Sequence, residues 1–351
     1  MTATFTATDG LSGFGSSGDH TTTGTNDSVG EGNPVTVNSP AFTDAAGNTV
    51  TAGTASHDFK IDKTAPTITF TGQSPAKNGN GWNKGNVTLG WSCSDALSGP
   101  SPATTSQLVA TEGSHQQATG TCADVAGNTA SSTDGDVNLD KTNPLLNVSG
   151  AADGATFNVC SLPARPAFAP SDALSGVDTQ SDSWVKPTTT SGVGTYTYTA
   201  TATDKAGNMA TQSRTYTDTY GTAAVTAVPF LQPINQDGSS RFKLGSTIPV
   251  KFQAMCSGAP VSAVVAKMYV KQGDSQPDPG TDEAISTSAA TTGNLFRYDG
   301  SGQQYIFNLS TKLGYVNPDN TTINSFVQGT WTLTIGLDDG SFRSIKVQLV
   351  K

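Results

Sequence analysis

The sequence predicts an all-β chain of tandem β-sandwich repeats, and three observations carry that expectation. Asp44-Ala45-Ala46-Gly47-Asn48 recurs as Asp124-Val125-Ala126-Gly127-Asn128 and as Asp204-Lys205-Ala206-Gly207-Asn208, a constant 80 residues apart. Companion motifs keep a fixed order around it. Asp9-Gly10-Leu11-Ser12-Gly13, Asp95-Ala96-Leu97-Ser98-Gly99 and Asp172-Ala173-Leu174-Ser175-Gly176 precede it, while Asp62-Lys63-Thr64, Asp140-Lys141-Thr142 and a decayed Asp218-Thr219 follow. Third, apolar and polar residues alternate with a period of two over long stretches, as strands with one buried face require.

The repeats divide the chain into four expected domains: a truncated repeat over 1–64, complete repeats over 65–142 and 143–223, and a distinct C-terminal β-sandwich over 224–351. Aligning Asp9 on Asp95 places Met1 opposite Val87, inside what is the second strand of the next unit. The first unit is therefore expected to lack its first strand, and the chain to be a piece of a longer reading frame. An array repeats its contents, whereas an active site is a single asymmetric constellation, so the repeats weigh against an enzyme.

The alternation is clearest in Thr195–Thr203, where Tyr196, Tyr198, Ala200 and Ala202 share one face and threonines the other. Val87, Leu89, Trp91 and Cys93 form a second such face, and Met1, Ala3, Phe5 and Ala7 align with them. Each Ala-Gly-Asn follows one strand and precedes another, where Gly and Asn accept positive φ cheaply in a tight hairpin. Each unit is expected to hold about six or seven short strands. In the C-terminal segment, Arg241–Phe252, Val264–Val270, Phe296–Leu309, Thr330–Gly336 and Arg343–Val350 read as strands and hairpins, with Asp338-Asp339-Gly340 as a turn.

Bulk composition narrows the function classes. Charged residues make up 13% of the chain and the net charge is −9, which removes the basic footprint of a nucleic-acid binder. No segment reaches the roughly 18 apolar residues of a membrane span. Cys93 and Cys122 each stand two residues before an aligned Asp on an apolar face; their counterparts, Ala7 with Phe42 and Pro170 with Ala202, are apolar pairs too. A Cys93–Cys122 disulfide is expected, which places the chain in an oxidising compartment beyond the cell interior. Cys160 and Cys256 fall in different units, and whether they pair stays open.

Through Asp-x-Ala-Gly-Asn, Asp-Ala-Leu-Ser-Gly and the boundary motifs Asp62-Lys63-Thr64-Ala65-Pro66 and Asp140-Lys141-Thr142-Asn143-Pro144, the repeats resemble bacterial immunoglobulin-like repeats of secreted and surface proteins. The last segment resembles the Pro-x-Lys-Phe domain found at the C-terminus of such proteins, carried by Pro249-Val250-Lys251-Phe252. The resemblance implies tandem immunoglobulin-like β-sandwiches followed by a different sandwich. It also implies modules appended to adhesins, stalks and secreted hydrolases, and offers no catalytic residues to carry over.

Nothing in the chain spells a catalytic motif. His20, His57 and His115 are far apart, the four cysteines lack zinc spacing, and no Gly-rich phosphate loop opens a helix. Trp82 and Trp184 read either as sugar-stacking platforms or as packing residues. In an immunoglobulin topology Asp95 and Asp124 leave the sandwich at one end, where the next strand enters just after Asp62. Asp62, Asp95 and Asp124 would then meet, and Asp140, Asp172 and Asp204 would repeat the arrangement. Two readings are open: these carboxylates hold Ca²⁺, or each caps its own turn with Lys63 and Lys141 balancing the charge. The expected function is a non-catalytic extracellular or cell-surface stalk that presents or attaches something to an unidentified polysaccharide or protein ligand. The alternatives are the accessory, carbohydrate-binding region of a secreted hydrolase, and a phage virion decoration.

Overall fold

The computed structural model describes residues 1–15, 19–274, 282–290, 292–316 and 323–351. Its regular structure is β throughout apart from the one-turn α1 (Gly221–Ala224). The chain divides into two compact units. The first comprises Met1–Pro144 with Asp172–Asp178 and Thr203–Asn208; the second comprises Leu145–Ser171, Thr179–Ala202 and Met209–Lys351.

The first unit begins with β1 (Thr2–Thr8), β2 (Thr21–Asp27), β3 (Gly32–Asn38), β4 (Phe42–Thr43), β5 (Thr49–Val50) and β6 (Ser56–Ile61). They pair antiparallel as β1–β2, β3–β6 and β4–β5. The middle repeat follows with β7 (Thr67–Ser74), β8 (Val87–Ser94), β9 (Thr104–Val109), β10 (Gly113–Ala123) and β11 (Thr129–Leu139). A three-stranded sheet β7-β8-β9 faces the hairpin β10-β11. The count is five strands where six or seven were expected, because β10 and β11 each run unbroken for 11 residues. One strand, β9, therefore lies between the two cysteine-bearing strands, β8 and β10.

Alternation in β8 buries Val87, Leu89, Trp91 and Cys93, with Val109, Val137 and Leu139 closing the core around Trp91. The hairpin can lie on the Trp91 ring only because Gly120 stands there, since a Cβ at that position would come within 2.4 Å of it. Cys93 and Cys122 are joined by a disulfide across the sandwich, their Cα atoms 6.0 Å apart. The Asp124–Asn128 turn that links β10 to β11 needs Gly127 at φ 96°, a region glycine enters without strain.

The second unit carries most of β12 (Leu145–Ser149), β13 (Ala155–Asn158), β14 (Ala167–Ser171), β15 (Val177–Val185), β16 (Gly194–Asp204) and β17 (Met209–Thr219). β12 pairs β14, and the other four form a sheet in the order β13-β17-β16-β15. Tyr196, Tyr198, Ala200 and Ala202 on β16 are buried, as the alternation requires. After α1 come β18 (Arg241–Lys243), β19 (Thr247–Phe252), β20 (Met255–Cys256), β21 (Ala259–Pro260) and β22 (Ala266–Gln272). They are followed by β23 (Glu283–Ala284), β24 (Arg297–Asp299), β25 (Gln304–Ser310), β26 (Tyr315–Val316), β27 (Ile323–Asn324), β28 (Gly329–Leu337) and β29 (Phe342–Val350).

A seven-stranded sheet β18-β29-β28-β22-β23-β26-β27 and a three-stranded sheet β19-β25-β24 enclose the core of this segment. The Arg241–Phe252 run splits at Gly245, so β18 joins one sheet and β19 the other. On β19, Ile248 and, within the Pro-Val-Lys-Phe stretch, Val250 and Phe252 are fully buried, and the Phe252 ring stacks on Tyr305 at 4.8 Å. The segment's cysteine also finds a partner: Cys160 and Cys256 form a disulfide, with Cα atoms 5.1 Å apart.

Candidate metal centre

Each motif aspartate is placed by the loop it begins. Asp95, one residue past β8, accepts the backbone N–H groups of Leu97, Ser98 and Gly99 at 3.0, 2.9 and 2.9 Å on its Oδ1. Asp-Ala-Leu-Ser-Gly is thus a loop wound around its own first side chain. Asp124 accepts the Asn128 N–H on Oδ1 (2.8 Å) and the Asn128 side-chain amide on Oδ2 (2.7 Å). Asp62 accepts the Thr64 N–H on Oδ1 and, from the loop of the next strand pair, the Ser98 N–H on Oδ2, both at 3.0 Å. The same Asn128 amide donates to the Asp62 carbonyl at 3.3 Å. Hydrogen bonding from Ser98, chiefly its hydroxyl, holds the Asp62 carboxyl below its ordinary range.

These bonds gather the three loops. One carboxylate oxygen from each of Asp62, Asp95 and Asp124 lies within 4.8 Å of the others, and Asp140, Asp172 and Asp204 form a second group of the same kind. The second group repeats most of the first group's bonds. Asp140 accepts from Thr142 N and Ser175 N at 3.0 Å each, and Asp172 accepts from Leu174 N and Gly176 N. Asp204 accepts from Gly207 N and Asn208 N, and the Asn208 amide bridges Asp204 Oδ2 and the Asp140 carbonyl at 2.8 and 3.0 Å. Asp124, Asp140 and Asp204 are buried, the other three partly so. All six belong to the first compact unit.

The structure therefore has both features that the two readings separated: every aspartate caps its own turn, and the caps converge in threes. A carboxylate oxygen that accepts one N–H keeps a second lone pair, so capping leaves ligand capacity. The charge-balancing role expected of the lysines does not appear. Lys141 Nζ donates to the Ala110 carbonyl at 2.5 Å, and none of the ion pairs among the described residues involves any of the six aspartates. Like charges that close raise one another's free energy unless a proton or a cation intervenes. Oxygen-only donors on loops are the chemistry of a hard cation such as Ca²⁺.

A supporting residue was missed in the sequence. Glu31 accepts Lys63 N and Thr64 Oγ1, and Glu112 accepts Lys141 N and Thr142 Oγ1, so each Asp-Lys-Thr is pinned by a glutamate. The signal was available: Glu-Gly precedes a strand at Glu31 and again at Glu112. Asp218, the decayed third boundary residue, meets no such arrangement. It is 2% exposed, its Oδ1 has no hydrogen-bond partner, and burial, with a contribution from the nearby Asp339 charge, raises its carboxyl to about 6. Around it, Asp338 accepts the Tyr220 hydroxyl at 2.8 Å and the Ser191 hydroxyl at 2.5 Å, while Asp339 accepts Tyr220 N.

Trp184 is a packing residue. It stacks on Tyr196 at 5.7 Å, donates its indole N–H to Tyr216 at 2.8 Å, and carries the Lys186 ammonium 4.5 Å from its ring. Trp82 is half-buried, and its backbone N–H donates to the Asn78 side-chain oxygen. The histidines remain scattered: His20 bonds the Asp9 carbonyl, His57 packs on Phe59, and His115 pairs with Asp136.

No protein-family model matches the chain, and no curated protein does. Among solved structures, it is similar to a tetra-tandem repeat in the extending region of a large adhesion protein, at 16% identity and TM-score 0.27, covering 99% of this chain and 90% of that one. A protocadherin gammaB7 EC3-6 structure is similar at 12% identity and TM-score 0.26, covering 91% and 85%. A structure from a 1.5-MDa bacterial ice-binding adhesin follows at 13% identity and TM-score 0.24, covering 82% and 97%. Scores this low carry no functional assignment.

Proposed function

We propose that the chain is a non-catalytic, extracellular segment of a bacterial secreted or surface protein. It would serve as a stalk that spaces or presents an attached function, with its Asp-Lys-Thr boundaries clamped by Ca²⁺. The four segments 1–64, 65–142, 143–223 and 224–351 are its modules: immunoglobulin-like repeats, then a domain of Pro-x-Lys-Phe type. The single observation that supports the metal reading most is duplication. The three motif aspartates, with their Thr, Ser and Asn donors in common, converge at two places a repeat apart. Two disulfides support an oxidising compartment.

Calorimetric titration of the full chain with Ca²⁺ tests this. Two ions per chain are expected, with the dissociation constant of an extracellular module, about 0.1–1 mM. Each occupied site would add about 1.4 kcal/mol of stability at tenfold excess over that constant. Asp124→Asn and Asp204→Asn should each remove one ion. No uptake by the intact chain leaves the aspartates as turn caps alone.

A further inference from the structure

We infer that Cys160 is a thiol-modification site: its sulfur exchanges the bond to Cys256 for a bond to a low-molecular-weight thiol, and Cys256 is the resolving cysteine that reverses the step. The two disulfides sit in opposite surroundings. Cys93 and Cys122 are 7% and 3% exposed, on β8 and β10, and β8 is paired on both sides. Cys160 is exposed and lies just past β13, outside any strand. Asn158 closes the turn that carries it, accepting Cys160 N on its side-chain oxygen at 3.0 Å and Ser161 N on its carbonyl at 2.8 Å. The Cys160 Sγ stands 3.8 Å from the Met255 carbonyl oxygen.

Cys256 holds the other end of the bond near the tip of a small hairpin. β20 and β21 are two residues each and form a two-stranded sheet, with Cys256 opposite Ala259. Ser257 and Gly258 make the turn at φ 48° and 86°, the conformation of a two-residue hairpin loop. Cys256 is half-buried and packs, like Val159, against the core of the C-terminal segment. A thiolate must reach a sulfur before it can attack, so access decides which of the four sulfurs it meets. Cys160 is the exposed one. Cys93 and Cys122 are reached only when the middle repeat opens locally.

The step balances without an added oxidant. The incoming thiolate forms a bond to Cys160 Sγ, the Cys160–Cys256 bond breaks, and its electron pair leaves on Cys256 Sγ, which takes a proton from water. The small thiol becomes half of a mixed disulfide, and Cys256 is reduced. Other contacts then keep the two cysteines together. Asp338 accepts the Tyr220 and Ser191 hydroxyls, Asp339 accepts Tyr220 N, and Arg343 donates to the Gly221 and Val225 carbonyls. Val193 and Tyr220 are themselves buried in the core of the C-terminal segment. Cys256 therefore stays beside Cys160, where its thiolate attacks the mixed disulfide, expels the small thiol and restores the bond. A partner held in place acts at high effective concentration, so the adduct lasts only while thiol is in excess.

The test exposes the intact, folded chain to millimolar glutathione, followed by a pulse of alkylating reagent and peptide mapping. Glutathione is expected on Cys160 and the alkyl group on Cys256, with Cys93 and Cys122 still joined. The buried bond should open at least about a hundredfold more slowly, as one reached only through local unfolding. Amides of β22, β28 and β29 should stay protected in the modified chain. Without the alkylation pulse, removing glutathione should clear the adduct and return the Cys160–Cys256 bond. Two variants separate the sulfurs. Cys256→Ser should take up one glutathione from glutathione disulfide, and Cys160→Ser should react roughly tenfold more slowly, because its remaining thiol is half-buried. Glutathione on Cys256, opening of Cys93–Cys122 first, or no exchange until denaturant unfolds the chain overturns the proposal. So do equal rates for the two variants, and so does an adduct that persists once the thiol is gone, because Cys256 then resolves nothing.

Discussion

In the middle repeat the sandwich closes on a small cluster around Trp91, with Val87, Leu89, Val109, Val137 and Leu139, whereas the C-terminal segment buries a continuous core running from Phe230 through Phe252, Phe307 and Trp331 to Leu349. The small repeat compensates outside its core. A disulfide ties its two sheets, and a mesh of aspartate caps fastens the loops at one end. Small modules bury too little surface to stand on apolar contact alone, so covalent and polar staples carry more of their stability. The C-terminal segment holds the larger apolar core, and the strand that leads to it, β17, carries a buried carboxylate, Asp218, whose Oδ1 has no hydrogen-bond partner.

Removing Trp91 should break the comparison most sharply. Trp91→Ala is expected to cost about 3–5 kcal/mol, enough to unfold the middle repeat while the C-terminal segment stays protected from amide exchange. The disulfide comes next. Cys93 and Cys122 are 29 residues apart, and opening that loop should cost about 2–4 kcal/mol. Site-resolved exchange after mild reduction should show the loss confined to β7–β11; an unchanged middle repeat would mean the Trp91 cluster suffices.

The smallest expected effect belongs to Asp218. Its carboxyl rises from 3.8 to about 6 on folding, so the folded state binds the proton more tightly than the unfolded one. Its contribution is fully present below about pH 4 and is lost as pH rises through about 6, for a total of about 1–3 kcal/mol. Asp218→Asn should flatten this part of the stability profile and raise stability at neutral pH. A wild-type profile already flat between pH 4 and 6 would show that the carboxylate is satisfied in solution.

What the sequence made legible followed from repetition and parity. Tyr196, Tyr198, Ala200 and Ala202 declared their buried face through alternation, and the six aspartates could be placed because each recurs at a fixed offset. The strand count was overestimated because β10 and β11 contain polar residues at both parities, and nothing local shows whether such a run is broken. The Cys160–Cys256 bond was illegible for a different reason: its residues sit in segments that share no repeat, so no second copy existed against which to align them. Asp218 with Asp338 and Asp339 was hidden in the same way. Fold-level pattern reports what a unit shares with its copies and is silent on contacts made once.

The Cys160–Cys256 bond has a mechanical consequence for a chain that is pulled from its ends. Tension entering at residue 160 crosses to residue 256 through sulfur, and the backbone between them is never stretched. The bond spans 96 residues, so about 320–350 Å of contour is withheld from extension even if the surrounding strands come apart. Under load, this stretch behaves as a short stiff link, and the compliance of the chain is set by the segments on either side.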